Sequence, residues 1–212
     1  MLSGQAGVSY SGGDDDQMTK LKIFVAESLS PKDFYRRQWE GRVVEEIVRL
    51  LNGKTSYRIV MNESFLDKAI KYASNNEYNV FHLSCHGNEA GVKLSDETEI
   101  CWKDLADRFQ NTTKSPPTAL VLSSCAGGDR GIALAFKKCR QRPQVIFGDE
   151  AENITFHDAC ISWSILYTAL AAEGFEKEVF QDAVDRMNQI TPHQFVYRRW
   201  DKGKYRRYPA AP

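Results

Sequence analysis

Two short motifs place reactive side chains directly after apolar stretches of the chain. His86 and Gly87 follow the apolar run 80–84, and Cys125 follows the run 118–123 and precedes Ala126 and two glycines. A thiolate can attack a carbonyl carbon, and an imidazole can transfer a proton near neutral pH. Glycine lets backbone N–H groups approach a bound substrate closely. Together, these residue types could cleave an amide bond by nucleophilic catalysis.

The elements around these motifs are predicted to bring them together. Apolar runs at 21–26, 57–60, 80–84, 118–123 and 144–148 alternate with segments of helical periodicity. This alternation predicts an α/β fold with a doubly wound, mainly parallel sheet. Successive parallel strands that pair have their carboxyl ends roughly 5 Å apart, at the edge where such sheets bind ligands. His86 and Cys125 are therefore predicted to converge on one substrate carbonyl.

Two helix predictions bear on this arrangement. A helix is expected soon after Cys125, and the positive end of its dipole would favour the thiolate. Between residues 31 and 51, Trp39, Val43 and Ile47 recur at helical spacing. This spacing predicts a stripe that faces the core, with charged residues such as Glu45 outside it.

Each reactive residue also has a more ordinary interpretation. A cysteine at a strand end is most often a small buried hydrophobe. Cys85, His86 and Cys101 do not predict a metal site, because neighbours on a strand face opposite ways and the sequence has no Cys-x-x-Cys pair. No cofactor is predicted either, since there is no Gly-x-x-x-x-Gly-Lys-Ser/Thr phosphate loop. Both motifs on consecutive apolar strands favour a catalytic Cys–His pair.

The two motifs together resemble those of the caspase-like (clan CD) cysteine peptidases. The sequence Val-Phe-His-Leu-Ser-Cys-His-Gly ends at Gly87, and Cys125 follows 39 positions after His86 within Leu-Val-Leu-Ser-Ser-Cys-Ala-Gly-Gly. The resemblance covers residues 20–190 and is closest to the bacterial CHAT-type branch, which is related to caspases and separase. It implies a three-layer αβα sandwich around a sheet of about five to six strands.

The resemblance also implies roles for individual residues. Cys125 would be the nucleophile, His86 would protonate the leaving amine, and the backbone N–H groups of Gly87 and Cys125 would form the oxyanion hole. The segment between Cys125 and the next strand is too short for the cleavable inter-subunit linker of animal caspases. Control by an activating protein partner or a larger assembly is therefore expected. Relatives of this branch often act as effectors in bacterial antiviral defence or cell death, on a dedicated protein substrate.

In this family, the substrate pocket is built from the residue two before the nucleophile and from the ends of the first and fifth strands. The corresponding residues are Ser123, Glu27 and Asp149. A pocket lined by carboxylates would favour Arg or Lys before the scissile bond. The alternative is that these acids are solvated loop charges.

Composition divides the chain into three parts. Of 212 residues, 28 are Lys or Arg and 28 are Asp or Glu, a neutral balance that argues against bulk-charge binding to nucleic acid or anionic lipid. Residues 1–19 form an acidic, Gly/Ser-rich leader that is expected to be flexible, and 20–192 the peptidase domain. Residues 193–212 form a basic aromatic tail. An edge strand or a partner-docking segment explains this tail better than binding of single-stranded nucleic acid, which is expected only indirectly through a partner.

Three functions compete on these observations. The first is a cytoplasmic cysteine endopeptidase that acts on a protein substrate, since five cysteines and no visible signal or membrane-spanning run indicate a reduced, non-membrane protein. The second is an inactive peptidase-fold scaffold or adaptor. The third is a TIR-like doubly wound domain that acts on a nucleotide, which would need a carboxylate rather than a thiol. The intact motif pair favours the endopeptidase.

Overall fold

The computed structural model of the protein describes residues 21–151 and 153–211. The strands in this part are β1 (Lys22–Ser28), β2 (Lys54–Ile59), β3 (Val80–Asn88), β4 (Gly91–Lys93), β5 (Glu99–Cys101), β6 (Ala119–Ser123), β7 (Val145–Asp149), β8 (Phe195–Asp201) and β9 (Lys204–Tyr208). The helices are α1 (Pro31–Tyr35), α2 (Glu40–Leu50), α3 (Glu63–Asn75), α4 (Trp102–Thr112), α5 (Arg130–Lys137), α6 (Phe156–Glu173) and α7 (Lys177–Ile190).

The sheet is doubly wound and mainly parallel, as the sequence predicts. Its strand order is β2-β1-β3-β6-β7-β8-β9, and the first five of these strands are parallel. The small antiparallel strands β4 and β5 extend from the far end of β3. All five residues of β6 and of β7 are buried, which explains their nearly continuous apolar sequence.

Helices cover both faces of the sheet and complete the three-layer sandwich. On one face, Leu66, Phe109 and Phe136 of α3, α4 and α5 pack against the apolar residues of β1, β3 and β6. On the other face, Val48 and Trp163 of α2 and α6 pack against alternate residues of the same strands, together with α7. No helix within the described ranges is long and apolar enough to cross a membrane.

The face of α2 that meets the sheet differs from the predicted one. Trp39 and Val43 are exposed, whereas Val44 and Val48 are fully buried. A Cβ atom on Gly41 would lie 2.8 Å from Cγ1 of Val25, so α2 approaches β1 through its glycine. Because α2 can come this close to the sheet only at a glycine, the face that contains Gly41 packs against β1. The face with the large apolar side chains of Trp39 and Val43 points away. This packing also turns the first residue of the helix, Glu40, into the interior.

The segment from 193, expected to be a tail, contributes two strands to the sheet. β8 pairs antiparallel with β7, and β9 pairs with β8. Phe195, Val196 and Tyr197 are buried against the sheet and α7. The sheet therefore continues past residue 192, where the sequence analysis ends the domain, and is wider than five to six strands. The edge-strand interpretation of this segment agrees with the pairing. The leader 1–19 lies outside the described residues.

Candidate active site

His86 and Cys125 lie just past the paired parts of two adjacent strands, His86 in the last part of β3 and Cys125 after β6. β3 and β6 pair in parallel with Ser84 opposite Ser123, so each reactive residue follows this pair by two positions. Both residues line one cavity of about 40 Å³ between the sheet and the start of α6. The structure thus brings together the two side chains that the sequence singles out.

A carboxylate anchors the imidazole. Nε2 of His86 lies 2.6 Å from Oδ2 of Asp33, which is buried on the short helix α1. Ser30 caps this helix, since its hydroxyl accepts from the Asp33 N–H at 3.2 Å and donates to Oδ2 at 2.5 Å. Burial would raise the pKa of Asp33, but the hydrogen bonds from Ser30 and His86 outweigh it and lower the pKa. Because Nε2 faces the Asp33 carboxylate, Nδ1 is the ring nitrogen of His86 that is left to exchange a proton with a reacting group.

The sequence analysis did not identify Asp33. The sequence feature that could have pointed to Asp33 is Ser30-Pro31, which places a capping hydroxyl and a proline at the start of a helix just after β1. That pattern predicts a helix start, but it does not show that the first turn of the helix meets β3. The contact depends on the long-range pairing of β1 with β3, in which Ser28 lies opposite Cys85.

Cys125 lies in a tight turn rather than at a helix end. α5 begins only at Arg130, so the expected direct contact of the thiol with a helix N-terminus is wrong. Ala126 has a φ of 54°, a left-handed conformation that non-glycine residues rarely adopt. Its N–H donates to the carbonyl of Ala151 at 2.9 Å, and the N–H of Gly128 donates to the carbonyl of Asp149 at 2.8 Å. These bonds tie the turn to the end of β7 and fix the backbone on both sides of the sulfur.

The backbone of Gly87 lies against that of Cys125. A Cβ atom on Gly87 would lie 3.0 Å from the Cys125 carbonyl oxygen and 3.0 Å from Cβ of Ser124. A side chain at this position would therefore press on the nucleophile turn. This close approach puts the two predicted oxyanion-hole residues side by side.

The three predicted pocket residues are not brought together. Ser123 lines the Cys125 cavity, but its hydroxyl accepts a hydrogen bond from the Trp163 indole at 2.7 Å. Asp149 is fully buried and accepts from the N–H groups of Ala151 and Gln194, and burial raises its pKa. Its carboxylate faces inward, toward His193, rather than a cleft.

Glu27 is also fully buried and already paired. Its carboxylate accepts from the Gly41 N–H at 2.7 Å and from the Tyr57 hydroxyl at 2.5 Å. It lines a different cavity, together with residues of α1 and β2. Burial raises its pKa to about 7, against the lowering effect of the Tyr57 and Gly41 hydrogen bonds. The arrangement of Glu27 and Asp149 does not form a shared carboxylate pocket next to Cys125.

The raised pKa of Glu27 predicts a pH-dependent stability. The folded protein binds this proton more tightly than the unfolded chain, so the stabilisation is present at low pH and is lost as pH rises through about 7. We expect Glu27 to contribute a loss of roughly 2 kcal/mol of unfolding free energy between pH 5 and pH 8. Glu27→Gln should remove this loss, measured as the difference between the two proteins in urea unfolding across that range. Equal pH slopes for the two proteins would contradict the prediction.

Glu40 is the acid that does reach the Cys125 cavity. It is 2% exposed, lines the cavity with His86 and Cys125, and neither of its carboxylate oxygens has a hydrogen-bond partner among the described residues. Its Oε1 lies 3.2 Å from Nε2 of His82, whose Nδ1 is 2.6 Å from the Tyr167 hydroxyl. A buried carboxylate without hydrogen-bond donors is costly, which is typical of a group that binds a donor from a ligand.

The cavity contains a second thiol that stays protonated. Cys85 lines the same cavity, but burial, and then the charges of Glu40 and Cys125, raise its pKa far above the ordinary range. Cys160, near Glu40 and Glu27, has its pKa raised to about 12, mainly by burial. Within the described residues, no group of three or more His, Cys, Asp or Glu side chains could hold a metal ion. These observations leave Cys125 as the candidate nucleophile.

Comparisons with known proteins bear on the fold of the chain. The structure resembles the secreted C11 cysteine protease "iotapain" from Bacteroides thetaiotaomicron, with a TM-score of 0.58 and 10% identity over 86% of this chain and 66% of that one. The chain has the caspase-like fold of cysteine proteases. It also resembles the complex of the Porphyromonas gingivalis RgpB pro- and mature domains, with a TM-score of 0.52 and 11% identity over 80% of this chain and 43% of that one. No protein-family model and no curated protein matches the sequence.

The caspase-like fold accounts for the position of the site. The chain spans about two thirds of the length of the iotapain chain and less than half of the RgpB chain. The reactive pair lies at the carboxyl edge of a parallel sheet, where open α/β sheets place their ligands. The geometry can therefore support acyl transfer to sulfur, with a proton carried by His86.

Proposed function

We propose that this chain is a cysteine endopeptidase that uses Cys125 as its nucleophile, His86 as its acid–base group and Asp33 as the residue that positions His86. The observation that supports this best is the cavity shared by Cys125 and His86, with the imidazole fixed by the 2.6 Å contact to Asp33. A nucleophile, an imidazole and a carboxylate that orients it form the arrangement expected for amide hydrolysis. A protein substrate follows from the resemblance to endopeptidases.

The residues of this site can carry each step of amide hydrolysis. Cys125 loses its proton to Nδ1 of His86 and attacks the substrate carbonyl, and the N–H groups of Gly87 and Cys125 stabilise the negative oxygen. His86 then gives the proton to the departing amine, and a thioester to Cys125 remains. Water attacks the thioester as His86 accepts its proton, and the carboxylate product leaves while the thiol is restored.

We further propose that the enzyme prefers Arg or Lys before the scissile bond and that Glu40 provides this preference. The preference itself remains a prediction, but Glu40 replaces Glu27 and Asp149 as its source. Glu40 lines the Cys125 cavity and its carboxylate accepts no hydrogen bond among the described residues, with His82 3.2 Å away, whereas Glu27 and Asp149 accept hydrogen bonds from the protein. A guanidinium or ammonium group would supply the donors that this carboxylate lacks.

The small cavity supports control by a partner. A volume of about 40 Å³ has room for only a few water molecules, not for a lysine or arginine side chain. The Cys125 cavity must therefore widen before such a side chain can enter it. We propose that an activating protein partner or assembly causes this change. A role as a cytoplasmic effector in bacterial antiviral defence, within the CHAT-type branch, extends this proposal on the resemblance alone.

A thiol-reactive peptidyl probe tests the nucleophile. We expect a peptidyl chloromethyl ketone with arginine next to the warhead to label the wild-type protein and Cys85→Ala, but not Cys125→Ala. Mass spectrometry of the labelled peptide identifies the cysteine. Labelling of Cys85, or equal labelling of all three proteins, would overturn the assignment. Labelling of Cys125 without cleavage of any member of a randomised peptide pool would instead favour the inactive scaffold.

The role of Asp33 predicts a kinetic effect. Asp33→Asn should lower kcat by about 100-fold, because proton transfer by an oriented side chain contributes about that much or more. The loss should appear in kcat with little change in KM, because Asp33 orients His86 and does not line the Cys125 cavity. Asp107→Asn, which changes an exposed acid paired with Lys103, is the matched control. An equal loss in Asp107→Asn, or a change confined to KM, would contradict the positioning role of Asp33.

A further inference from the structure

An apolar cavity of about 460 Å³, separate from the Cys125 cavity, is lined by residues of α1 and of the edge strand β2. It is lined mainly by apolar side chains of α1, β2 and the residues beside them, and we call it the α1–β2 cavity. Four of its lining residues are exposed: Tyr35 at 89%, Met61 at 55%, Phe34 at 50% and Ile59 at 45%. A cluster of exposed aromatic and aliphatic side chains around one cavity is typical of an interaction site.

We propose that the α1–β2 cavity binds an extended, acidic and apolar segment of a partner protein, and that this binding acts on His86 through α1. The action on His86 rests on the peptidase function proposed above. The docking itself does not depend on it.

The edge of the sheet suits an extended segment. β2 is the edge strand on this side of the sheet, and among the described strands it pairs only with β1. Tyr57 and Ile59 of β2 both line the cavity, because they are two residues apart and share a face. A partner strand added to β2 would gain backbone hydrogen bonds from the open edge and place alternate side chains into the cavity.

The charges around the cavity indicate an acidic partner. Lys32, Arg36 and Arg37 are exposed on the segment that carries α1. The acid of this segment, Asp33, hydrogen-bonds with Ser30 and His86 and not with any of these three cations. At the other end of the cavity, Asp96 donates its N–H to the Met61 carbonyl and is exposed. The acidic residues of a bound segment should therefore face α1.

The connection to the active site is short. Asp33 contacts His86, and the next residue, Phe34, lines the α1–β2 cavity. α1 has only five residues, and a connection of four residues leads from it to α2, which begins with Glu40. A ligand that contacts Phe34 would therefore move the helix that orients His86 and the connection that leads to Glu40. Movement of this segment would widen the small cavity around Cys125.

The first experiment measures binding with defined peptides. The probe is a fluorescein-labelled ten-residue peptide of alternating Glu and Leu, compared with peptides in which Lys replaces Glu or Ser replaces Leu. By fluorescence anisotropy, we expect the Glu–Leu peptide to bind the full chain at least tenfold more tightly than either control. The double variant Tyr35→Glu, Met61→Glu should lose this binding, whereas Leu50→Glu should keep it, because Leu50 is 84% exposed at the end of α2 and does not line the cavity. Equal binding of the Lys–Leu peptide, or binding unchanged in the double variant, would overturn the proposal.

Two other occupants are distinguished by further measurements. If the chain's own acidic leader fills the cavity, the full-length variant with Asp14, Asp15 and Asp16 changed to Asn will bind the peptide much more tightly than wild type. If a second copy fills it, the protein alone will be a dimer in light scattering, and the double variant will be a monomer. Either result would overturn docking of a separate partner.

The second experiment measures the effect on the active site. In the presence of the Glu–Leu peptide, the rate at which the arginyl chloromethyl ketone labels Cys125 should rise at least tenfold in wild type and not in the double variant. Peptide binding with an unchanged rate would overturn the action on His86. An absence of Cys125 labelling under all conditions would contradict the proposed peptidase and leave the docking result intact.

Discussion

Ending the chain after residue 193 is expected to unfold the domain. This truncation removes β8 and β9 and with them the buried side chains of Phe195, Val196 and Tyr197. Each such side chain contributes about 1.5–3 kcal/mol through burial, so the loss is roughly 5–9 kcal/mol. Domains of this size have a total stability of about 5–15 kcal/mol. Circular dichroism should show loss of the cooperative thermal transition.

The lost contacts also reach the nucleophile turn. Nε of Arg198 donates to the carbonyl of Gly128 at 2.9 Å, and its guanidinium pairs with Glu150, which also pairs with Arg207. Burial lowers the pKa of Arg198, against the raising effect of the Glu150 charge. The segment called a tail in the sequence analysis thus holds the turn that carries Cys125.

A shorter truncation is the control for this prediction. Ending the chain after Tyr208 keeps both strands and removes only the last four residues. Its melting temperature should remain within a few degrees of wild type. A cooperative transition near the wild-type temperature in the chain that ends at 193 would show that β8 and β9 are dispensable for folding.

The fold and the reactive pair could be predicted because local sequence determines them. The runs 80–84 and 118–123 are apolar throughout, as buried parallel strands are, and His86 and Cys125 follow their ends directly. The order of the strands then follows from the short connections between them. The helix cap at Thr155, which accepts from the Asp158 N–H at 3.1 Å, is likewise a local pattern that the sequence displays.

The residues around the pair could not be predicted, because their positions depend on how elements pack. The apolar spacing of Trp39 and Val43 favoured the wrong face of α2, since the close fit of Gly41 against β1 is a property of two elements. That error hid Glu40, which a correct orientation would have turned toward the sheet. Asp33 was missed for a related reason, because its partner His86 is 53 residues away in sequence.

The basic aromatic composition of residues 193–212 was a poor guide to structure. Trp200 lies under the guanidinium of Arg142, 3.8 Å from the ring centroid, and Tyr205 donates to the Pro143 carbonyl at 2.6 Å. Trp200 and Tyr205 are therefore engaged with the body of the fold, as are Arg198 and Arg207 through Glu150, whereas the segment's other cations are exposed: Arg199, Lys202, Lys204 and Arg206. Composition alone does not distinguish such internal contacts from a surface that binds another molecule.

Replacing Glu40 with glutamine is expected to remove the preference for a basic residue before the scissile bond. The substrate cation would lose a desolvated partner, and truncating such a pair costs about 2–5 kcal/mol. The ratio of kcat/KM for an arginine substrate to that for its citrulline analogue, which lacks the charge, should therefore fall by about 100-fold in Glu40→Gln. The comparison uses two peptides identical except at this residue, with fluorescence released on cleavage.

The control is Glu46→Gln, which changes an exposed acid of the same helix that pairs with Arg49. It should leave the ratio unchanged, because its charge is screened by solvent. Glu40→Gln should also keep its cooperative unfolding, since the substitution preserves the size of the side chain and breaks no hydrogen bond among the described residues. A folded Glu40→Gln variant that retains the wild-type ratio would show that Glu40 does not provide the preference for a basic residue, although it lines the cavity.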